Sequence, residues 1–395
     1  MNGRTKKVLI LGGGFGGVKT ALELSNDDSF DVTLITDHAD FRYYPTLYKA
    51  ATGGSVLASS IPLKEVFASK NIGLVIDSAK HIDRGSKIVR TTGGKEYNYD
   101  SLIVALGVIT NYFGISGLDK YAYGIKSADE AKRLHDHVHR LLLDEGKPDQ
   151  NYVVIGGGPT GVELAGALPG YIKSIMKNHG IKHKKLHIDL VEASPRLMPR
   201  MSKGYSRALE KRLRGLGVSL YLGQSVEAET ADALMVSGHS IASHTVIWTA
   251  GVTNHPFLKE NNFLLNDHGK ARVDVCLRAE EDIYIIGDNA DTLYSGMAQT
   301  ALYDALFVAG NLKRQARGRS SKIYELKRPI YVTPVGPNWA AVAWGKLEFY
   351  GQLGSLLRQA ADFIGYHDLE PFWKAGKHWM AEVEKDASCP TCAGK

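Results

Sequence analysis

The chain has 395 residues, a formal charge of +6 and three cysteines. Such a length can bury more than one core, so two or three domains are expected. The charge is too modest to argue for nucleic acid, and so few cysteines build no disulfide framework, which fits a reducing compartment. No apolar run reaches the ~18 residues needed to cross a bilayer. The first strand is entered at Val8, with no room before it for a signal peptide. The expectation is an intracellular chain, soluble or peripheral, and not a nucleic-acid binder.

In chain order, the apolar run Val8-Leu9-Ile10-Leu11 enters Gly12-Gly13-Gly14-Phe15-Gly16-Gly17 and then a helix-like segment. This is G-x-G-x-x-G in the context that gives it meaning. The first glycine allows a tight turn, the second lets backbone approach a pyrophosphate, and the third lets helix pack on strand. The helix then offers unpaired N–H groups to the phosphates. Asp31 to Thr36 reads as the next strand, and Asp37 at its end is placed to accept both hydroxyls of an adenosine ribose, or else is a polar turn residue. Ile72 to Ile76 and Lys87 to Thr91 read as strands on either side of the turn Asp83-Arg84-Gly85, and Leu102 to Ala105 as a strand ending at Gly107. His135, His137 and His139 fall on a helix that is expected to face solvent; no accompanying carboxylate or cysteine set suggests a metal.

A second fingerprint follows: Val153-Val154-Ile155-Gly156-Gly157-Gly158-Pro159-Thr160-Gly161. After a basic excursion, Lys173 to Lys185, comes the strand Leu186 to Val191 with Glu192 at its end. A fixed negative charge there repels a 2′-phosphate and favours NADH over NADPH; Arg196 nearby is a group able to accept that phosphate. Strands Val246 to Thr249 and Ile283 to Ile286 follow, the latter running into Gly287-Asp288. An acid at that point suits the ribityl hydroxyls of a flavin and is equally able to cap the next helix. Strands alternating with helices indicate mainly parallel sheets wound on both faces.

The order of these pieces suggests an insertion: a first dinucleotide domain over 1–118 and 252–324, interrupted by a second over 119–251, with a tail over 325–395. Lys313, Arg314, Arg317, Arg319, Lys322, Lys327 and Arg328 cluster before the tail and are read as a solvated surface. The tail holds four of the five tryptophans. Glu348, Gln352, Ser355, Gln359 and Asp362 recur at helical spacing, and Leu347, Tyr350, Leu353, Leu357 and Ile364 lie elsewhere around that helix. With Phe372, Trp373, Trp379 and Met380 they suit a bilayer interface, packing on the protein, or a dimer partner. The stretch 346–384 is expected to give peripheral membrane contact, and a homodimer is left open. Cys389-Pro390-Thr391-Cys392 is a terminal C-x-x-C without the further ligands that zinc needs.

Two fingerprints imply two dinucleotides on one chain, and thus electrons passing from a nicotinamide to a flavin. The run Gly156 to Gly166 followed by Val191-Glu192-Ala193-Ser194-Pro195-Arg196-Leu197-Met198-Pro199 resembles the type II NADH dehydrogenases, within the two-dinucleotide flavoprotein superfamily. Thr249-Ala250-Gly251, Ile285-Ile286-Gly287-Asp288 and Ala298-Gln299 support the likeness, which covers residues 5 to 315. It implies two Rossmann-like domains, an FAD that accepts a hydride from NADH, and reduction of a membrane quinone without proton pumping, at the inner face of the cell membrane. It also implies that Gly12, Gly14, Phe15, Gly16, Gly17, Asp37, Ala79, Ala105, Gly107, Asp288, Ala298 and Gln299 hold FAD. Gly156, Gly158, Pro159, Thr160, Gly161, Glu163, Glu192 and Gly251 would hold NADH. Glu163 would lie near the nicotinamide and assist proton movement, or simply complement the helix dipole; Gln299 would lie between flavin and quinone.

The sequence departs from that family at Tyr303 and Asp304, where a further glutamine is common, and at Ala105-Leu106-Gly107, which lacks a threonine. Residues 38 to 70 contain no cysteine, which argues against a disulfide or peroxide reductase, and only Cys276 lies in the interior of the sequence, against sulfide oxidation. Two alternatives stand beside the NADH:quinone reading. One is a soluble reductase of a ferredoxin- or rubredoxin-like protein; the other is a redox-sensing interaction protein similar to apoptosis-inducing factor.

Overall fold

The computed structural model describes residues 5–144, 151–181 and 186–381. Cys389 and Cys392 lie outside the described residues, as does the end of the basic excursion, Lys182 to Lys185.

Strand β1 (Lys6–Leu11) is buried from Val8 onward, as a parallel strand covered on both faces must be. It turns at Gly12 into helix α1 (Phe15–Leu24), and β2 (Phe30–Thr36) returns parallel beside it. A short helix α2 (Leu47–Ala51) precedes β3 (Ile72–Ile76), and β4 (Ser101–Val104) joins β1 on its other side. Strand β5 (Val108–Thr110) then leads the chain out of this unit, towards α3 (Ala128–Leu143).

The second unit repeats the plan. Strand β6 (Asn151–Ile155) enters α4 (Pro159–Asn178), and β7 (His187–Glu192) returns parallel. Helix α5 (Lys203–Gly215), β8 (Val218–Leu222) and β9 (Thr245–Trp248) complete a sheet in the order β8-β7-β6-β9. The chain comes back through β10 (Val252–Asn254), which pairs antiparallel with β5. Strands β11 (Arg278–Glu280) and β12 (Ile283–Ile285) then finish the first sheet, β11-β12-β4-β1-β2-β3, before α6 (Ala298–Ala316) packs on α1.

The tail is an antiparallel meander of β13 (Tyr331–Pro334), β14 (Ala340–Trp344) and β15 (Leu347–Gly351), followed by α7 (Gln352–His367) and α8 (Phe372–Ala381). The meander sits on the second unit. A Cβ on Gly166 of α4 would meet Val335 at 2.8 Å and the Gly336 nitrogen at 2.9 Å. The Tyr205 hydroxyl from α5 pairs with the Thr333 hydroxyl at 2.9 Å and reaches the Ala341 carbonyl at 3.0 Å.

One expectation about exposure is corrected. Helix α3 does not turn its histidines to solvent: His135, His137 and His139 are each 7% exposed. His137 stacks on Tyr123 and bonds Thr245, while His135 and His139 pack against Tyr171. Burial holds His137 and His139 at about 4, so both stay neutral and behave as aromatic core residues. In the tail, Asp362 is buried and Trp379 is half-buried, its indole N–H donating to the Gln359 carbonyl. Leu353, Phe372 and Trp373 are exposed, and Leu357 is half-buried. In the basic cluster, Lys313 meets Glu23 and Arg317 meets Asp27, pairs of the ordinary surface kind.

Candidate active site: two glycine loops and a buried ion triad

The glycine spacing acts identically in both units. Gly12 and Gly156 take φ of +111° and +113°, and their N–H groups donate to Ile35 and Val191 at 2.8 Å. A Cβ on Gly17 would sit 1.9 Å from the Gly12 oxygen, and one on Gly161 would sit 1.9 Å from the Gly156 oxygen. These glycines let helix and turn touch. At the middle glycines, Gly14 and Gly158, nothing lies within 4 Å of where a Cβ would be. Each opens onto space at a helix N-terminus, where the first N–H groups lack intrahelical acceptors. Both loops therefore have the open form that a phosphate group would need.

In the first unit the cradle is backed by Ala105, whose carbonyl lies 2.2 Å from a Cβ on Gly12, and by Ile286, 3.0 Å from one on Gly16. Phe15 is buried edge-on to Phe41 at 4.9 Å and beside Tyr43 at 5.6 Å. Thr36 is also buried, and its hydroxyl has no hydrogen-bond partner among the described residues. That orphaned polar atom under the loop fits a ligand bearing hydroxyls. Asp37, one residue on, is exposed and stands 3.5 Å from His38.

Asp288 follows the Gly287 turn. Burial pushes its carboxyl up, and Lys270 and Lys126 pull it back down. Sequence reasoning missed both lysines because they come from distant segments. It also missed Asn289, fully buried, whose side chain accepts from the Gly107 N–H and donates to the Gly107 carbonyl, both at 2.7 Å. Asp304, one of the departures from the family pattern, is buried and accepts from the Gly287 N–H at 2.9 Å and from the Tyr324 hydroxyl. It braces the turn that presents Asp288. Ala298 opens α6, and Gln299 beside it accepts from the Ile330 N–H at 2.8 Å, tying α6 to the start of the tail. Ala79 packs half-buried against the apolar core beneath the first sheet.

In the second unit Glu192 lies directly under the loop. Its two oxygens accept from the Gly157 and Ser194 N–H groups, each at 2.6 Å. Arg196 is occupied elsewhere, donating to the Met201 carbonyl, the Ser206 hydroxyl and the Pro199 carbonyl. The Glu192 carboxylate is hydrogen-bonded to the loop backbone itself. Pro159 and Thr160 are exposed at the start of α4. Gly251 is packed rather than open, since a Cβ there would meet the Asn111 oxygen at 2.2 Å. Its place is at the crossing between the units.

Glu163, one turn into α4, is 8% exposed. Its Oε1 lies 3.5 Å from the Arg358 guanidinium, which comes from α7 in the tail. Arg358 also donates to Asp362 at 2.7 Å and to the Pro45 carbonyl at 2.7 Å. Burial pushes Glu163 up to about 7, Arg358 and Lys49 pulling it down and Asp362 pushing it further up. A carboxyl poised there can hold or release a proton near neutrality. Nothing local in the sequence pairs Glu163 with Arg358, 195 residues away. Among the described residues no group of three or more histidine, cysteine or carboxylate side chains could hold a metal. Cys276 is buried, with its thiol at the Lys322 carbonyl.

Comparison with known proteins agrees with this geometry. The sequence matches the model of the pyridine nucleotide-disulphide oxidoreductases over residues 6–305. It is 26% identical over 382 residues to a type II NADH:quinone oxidoreductase of Staphylococcus epidermidis, covering 90% of this chain and 94% of that protein. To the Staphylococcus aureus protein of the same name it is 28% identical over 344 residues, 81% of this chain and 85% of that one. Among solved structures, NDH2 of Plasmodium falciparum in complex with NADH superposes with a TM-score of 0.85 at 18% identity, covering 96% and 97% of the two chains. The sulfide:quinone oxidoreductase of Aquifex aeolicus superposes at 0.78 with 20% identity, covering 94% and 92%. Two glycine-loop units, the second set between the strands of the first, and a family model spanning most of the sequence agree: the chain belongs to the pyridine nucleotide-disulphide oxidoreductase family.

Proposed function

We propose that the protein is an NADH:quinone oxidoreductase of the non-proton-pumping kind, with FAD in the first unit (1–118 and 252–324) and NADH in the second (119–251). The observation that carries this reading is the pair of open phosphate cradles, one walled by buried aromatics and the other open to solvent. The curated relatives bearing the name type II NADH:quinone oxidoreductase, matched over nine-tenths of this chain, favour it among the activities of the fold.

Gly12, Gly14, Gly16 and Gly17 would receive the FAD pyrophosphate, with Thr36 at the ribose, Asp37 exposed one residue beyond it, and Asp288 at the ribityl chain. Gly156, Gly158 and Gly161 would receive the NADH pyrophosphate, with Glu192 at the ribose. Bound there, the flavin supplies hydride acceptance and onward electron transfer, chemistry that no side chain offers. The chain's own residues orient the two dinucleotides and keep water out. Glu163 holds a proton beside the nicotinamide, and Gln299, at the head of α6, lies between flavin and acceptor.

The tail would meet the membrane. No helix among the described residues is long and apolar enough to cross one. Yet α7 and α8 expose Leu353, Leu356, Ile364, Phe372, Trp373 and Met380, each 58–74% accessible. Aromatic and leucine side chains so placed suit the headgroup boundary of the cytoplasmic leaflet. The decisive experiment is anaerobic: the purified protein is reduced with NADH, and reoxidation of its flavin is followed separately with a quinone, a ferredoxin and oxygen. Fast reoxidation by quinone is expected; preference for ferredoxin would install the soluble-reductase reading instead, and slow reoxidation by every acceptor the redox-sensing one.

A further inference from the structure

Helix α7 is turned inside out. Its buried residues are Gly354, Arg358, Asp362 and Tyr366, one to each turn, while Leu353, Leu356 and Ile364 face outward. Burying a charged pair where apolar residues would pack more cheaply calls for a reason at that position. The reason lies in what Arg358 touches. It meets Glu163 on α4 at 3.5 Å, the Pro45 carbonyl ahead of α2 at 2.7 Å, and the Val332 carbonyl of β13 at 3.4 Å. Asp362 anchors its Nε at 2.7 Å, and the Tyr43 hydroxyl stands 3.4 Å from Asp362. One guanidinium thus serves two buried carboxylates.

We propose that Arg358 and Asp362 are positioning residues for Glu163: the tail helix, by docking its charged face, sets whether the acid of the site carries a proton. This rests on the reading that Glu163 faces the nicotinamide. Arg358 holds Asp362 by the shorter contact, 2.7 Å against 3.5 Å, so Glu163 has the weaker hold on that shared positive charge. The other titratable groups around Glu163 are Lys49 on α2 and Tyr205 on α5, with Tyr48 of α2 facing Arg358. Arg358 stands within 3.5 Å of the Glu163 carboxylate. The inward charges and the outward leucines belong to the same turns of α7, so whatever seats or lifts that helix alters the proton on Glu163.

The signs are opposite for the two partners. Removing the Arg358 charge takes away a stabiliser of the Glu163 carboxylate, so ionisation moves to higher pH. Removing the Asp362 charge takes away a repeller, so ionisation moves to lower pH. We expect shifts of about one pH unit, in opposite directions, for Arg358→Gln and Asp362→Asn. Arg358→Lys, which keeps the charge, should restore the wild-type midpoint.

The test is an infrared titration of the buried carboxyl band in the flavin-loaded full chain, with Glu163→Gln identifying the band, alongside the pH profile of NADH oxidation. The titration needs no electron acceptor, so it stands apart from the assignment of quinone as acceptor. Midpoints that move oppositely support the proposal. Midpoints that stay put, or that move the same way in both variants, overturn it. Opposite midpoints with an unshifted pH profile of turnover would uphold the charge coupling and overturn the placement of Glu163 at the nicotinamide. Should Arg358→Gln fail to fold, Asp362→Asn decides alone, because asparagine keeps an acceptor for the guanidinium.

Discussion

In the first unit the helix after the glycine loop opens with Phe15, buried among Phe41 and Tyr43. In the second it opens with Pro159 and Thr160, both exposed. The loops beneath are alike, from the positive φ of the first glycine to the 1.9 Å closeness at the third. What differs is the layer around them. A proline at the first helical position removes one N–H that phenylalanine keeps, and exposed surroundings let a ligand leave as readily as it came. On the proposed reading, the same backbone device would serve a resident flavin in the first unit and an exchanging nicotinamide in the second.

The sharpest way to break this comparison is at the third glycines. Alanine at Gly17 or Gly161 would drive a methyl into a backbone carbonyl 1.9 Å away, which no side-chain rotation relieves. Overpacking of this kind costs about 1–3 kcal/mol, concentrated in the loop. We expect Gly17→Ala to be purified without flavin. Gly161→Ala should keep its flavin and show an NADH KM raised by up to ~100-fold. The flavin-to-protein absorbance ratio and steady-state kinetics read the two effects. If Gly161→Ala lost flavin as fully as Gly17→Ala, the two loops would not be independent sites.

That much was legible in the sequence because a glycine loop is local: turn, cradle and helix start lie within ten residues. The strands were legible too, since runs such as Val153 to Ile155 have no solvent-facing side to interrupt them. The partners of the site were not. Asn289 on Gly107, Lys126 and Lys270 on Asp288, and Arg358 on Glu163 are joined only by the fold. The tail was legible only in part. Spacing shows that α7 has two faces, but not that the protein takes the charged one and leaves the leucines outside. Likewise, the histidines of α3 read as polar by composition, yet desolvation keeps two of them neutral, and they pack as rings.

A smaller effect is expected at Glu192, where the second loop's acid braces Gly157 and, on the proposed reading, would face the ribose. Hydrogen bonds to a charged group contribute about 1.5–3 kcal/mol, and Glu192→Ala removes two of 2.6 Å. The NADH-over-NADPH preference should narrow by about tenfold, chiefly through a gain for NADPH, because the repelling charge is gone and Arg196 stays occupied by its own loop. Glu192→Gln separates the two roles, since it keeps an acceptor for one N–H while losing the charge. A preference unchanged in both variants would mean that Glu192 serves the loop alone.

The smallest effect concerns the offset between the units. Counting from the N–H that ties each loop to its neighbouring strand, Ile35 matches Val191, so the residue equivalent to Glu192 is Thr36, not Asp37. Glu192 reaches back to Gly157; Thr36 lies under Gly13 in the same way, its oxygen 2.7 Å from where a Cβ on Gly13 would stand. Asp37 points away into solvent beside His38. If position 36 is where the adenosine ribose is met, Thr36→Asp should supply the first loop with the acid that the second already has. Flavin should then be held about fivefold more tightly, near the 1 kcal/mol of a typical net hydrogen bond. Asp37→Ala should change retention by no more than ~0.5 kcal/mol, as for other exposed positions. Flavin release followed by fluorescence during dilution would measure both. A loss on Asp37→Ala larger than that on Thr36→Val would reverse the inference: the first unit would have moved its ribose acid one residue outward, and the register shared by the two loops would end at the strand.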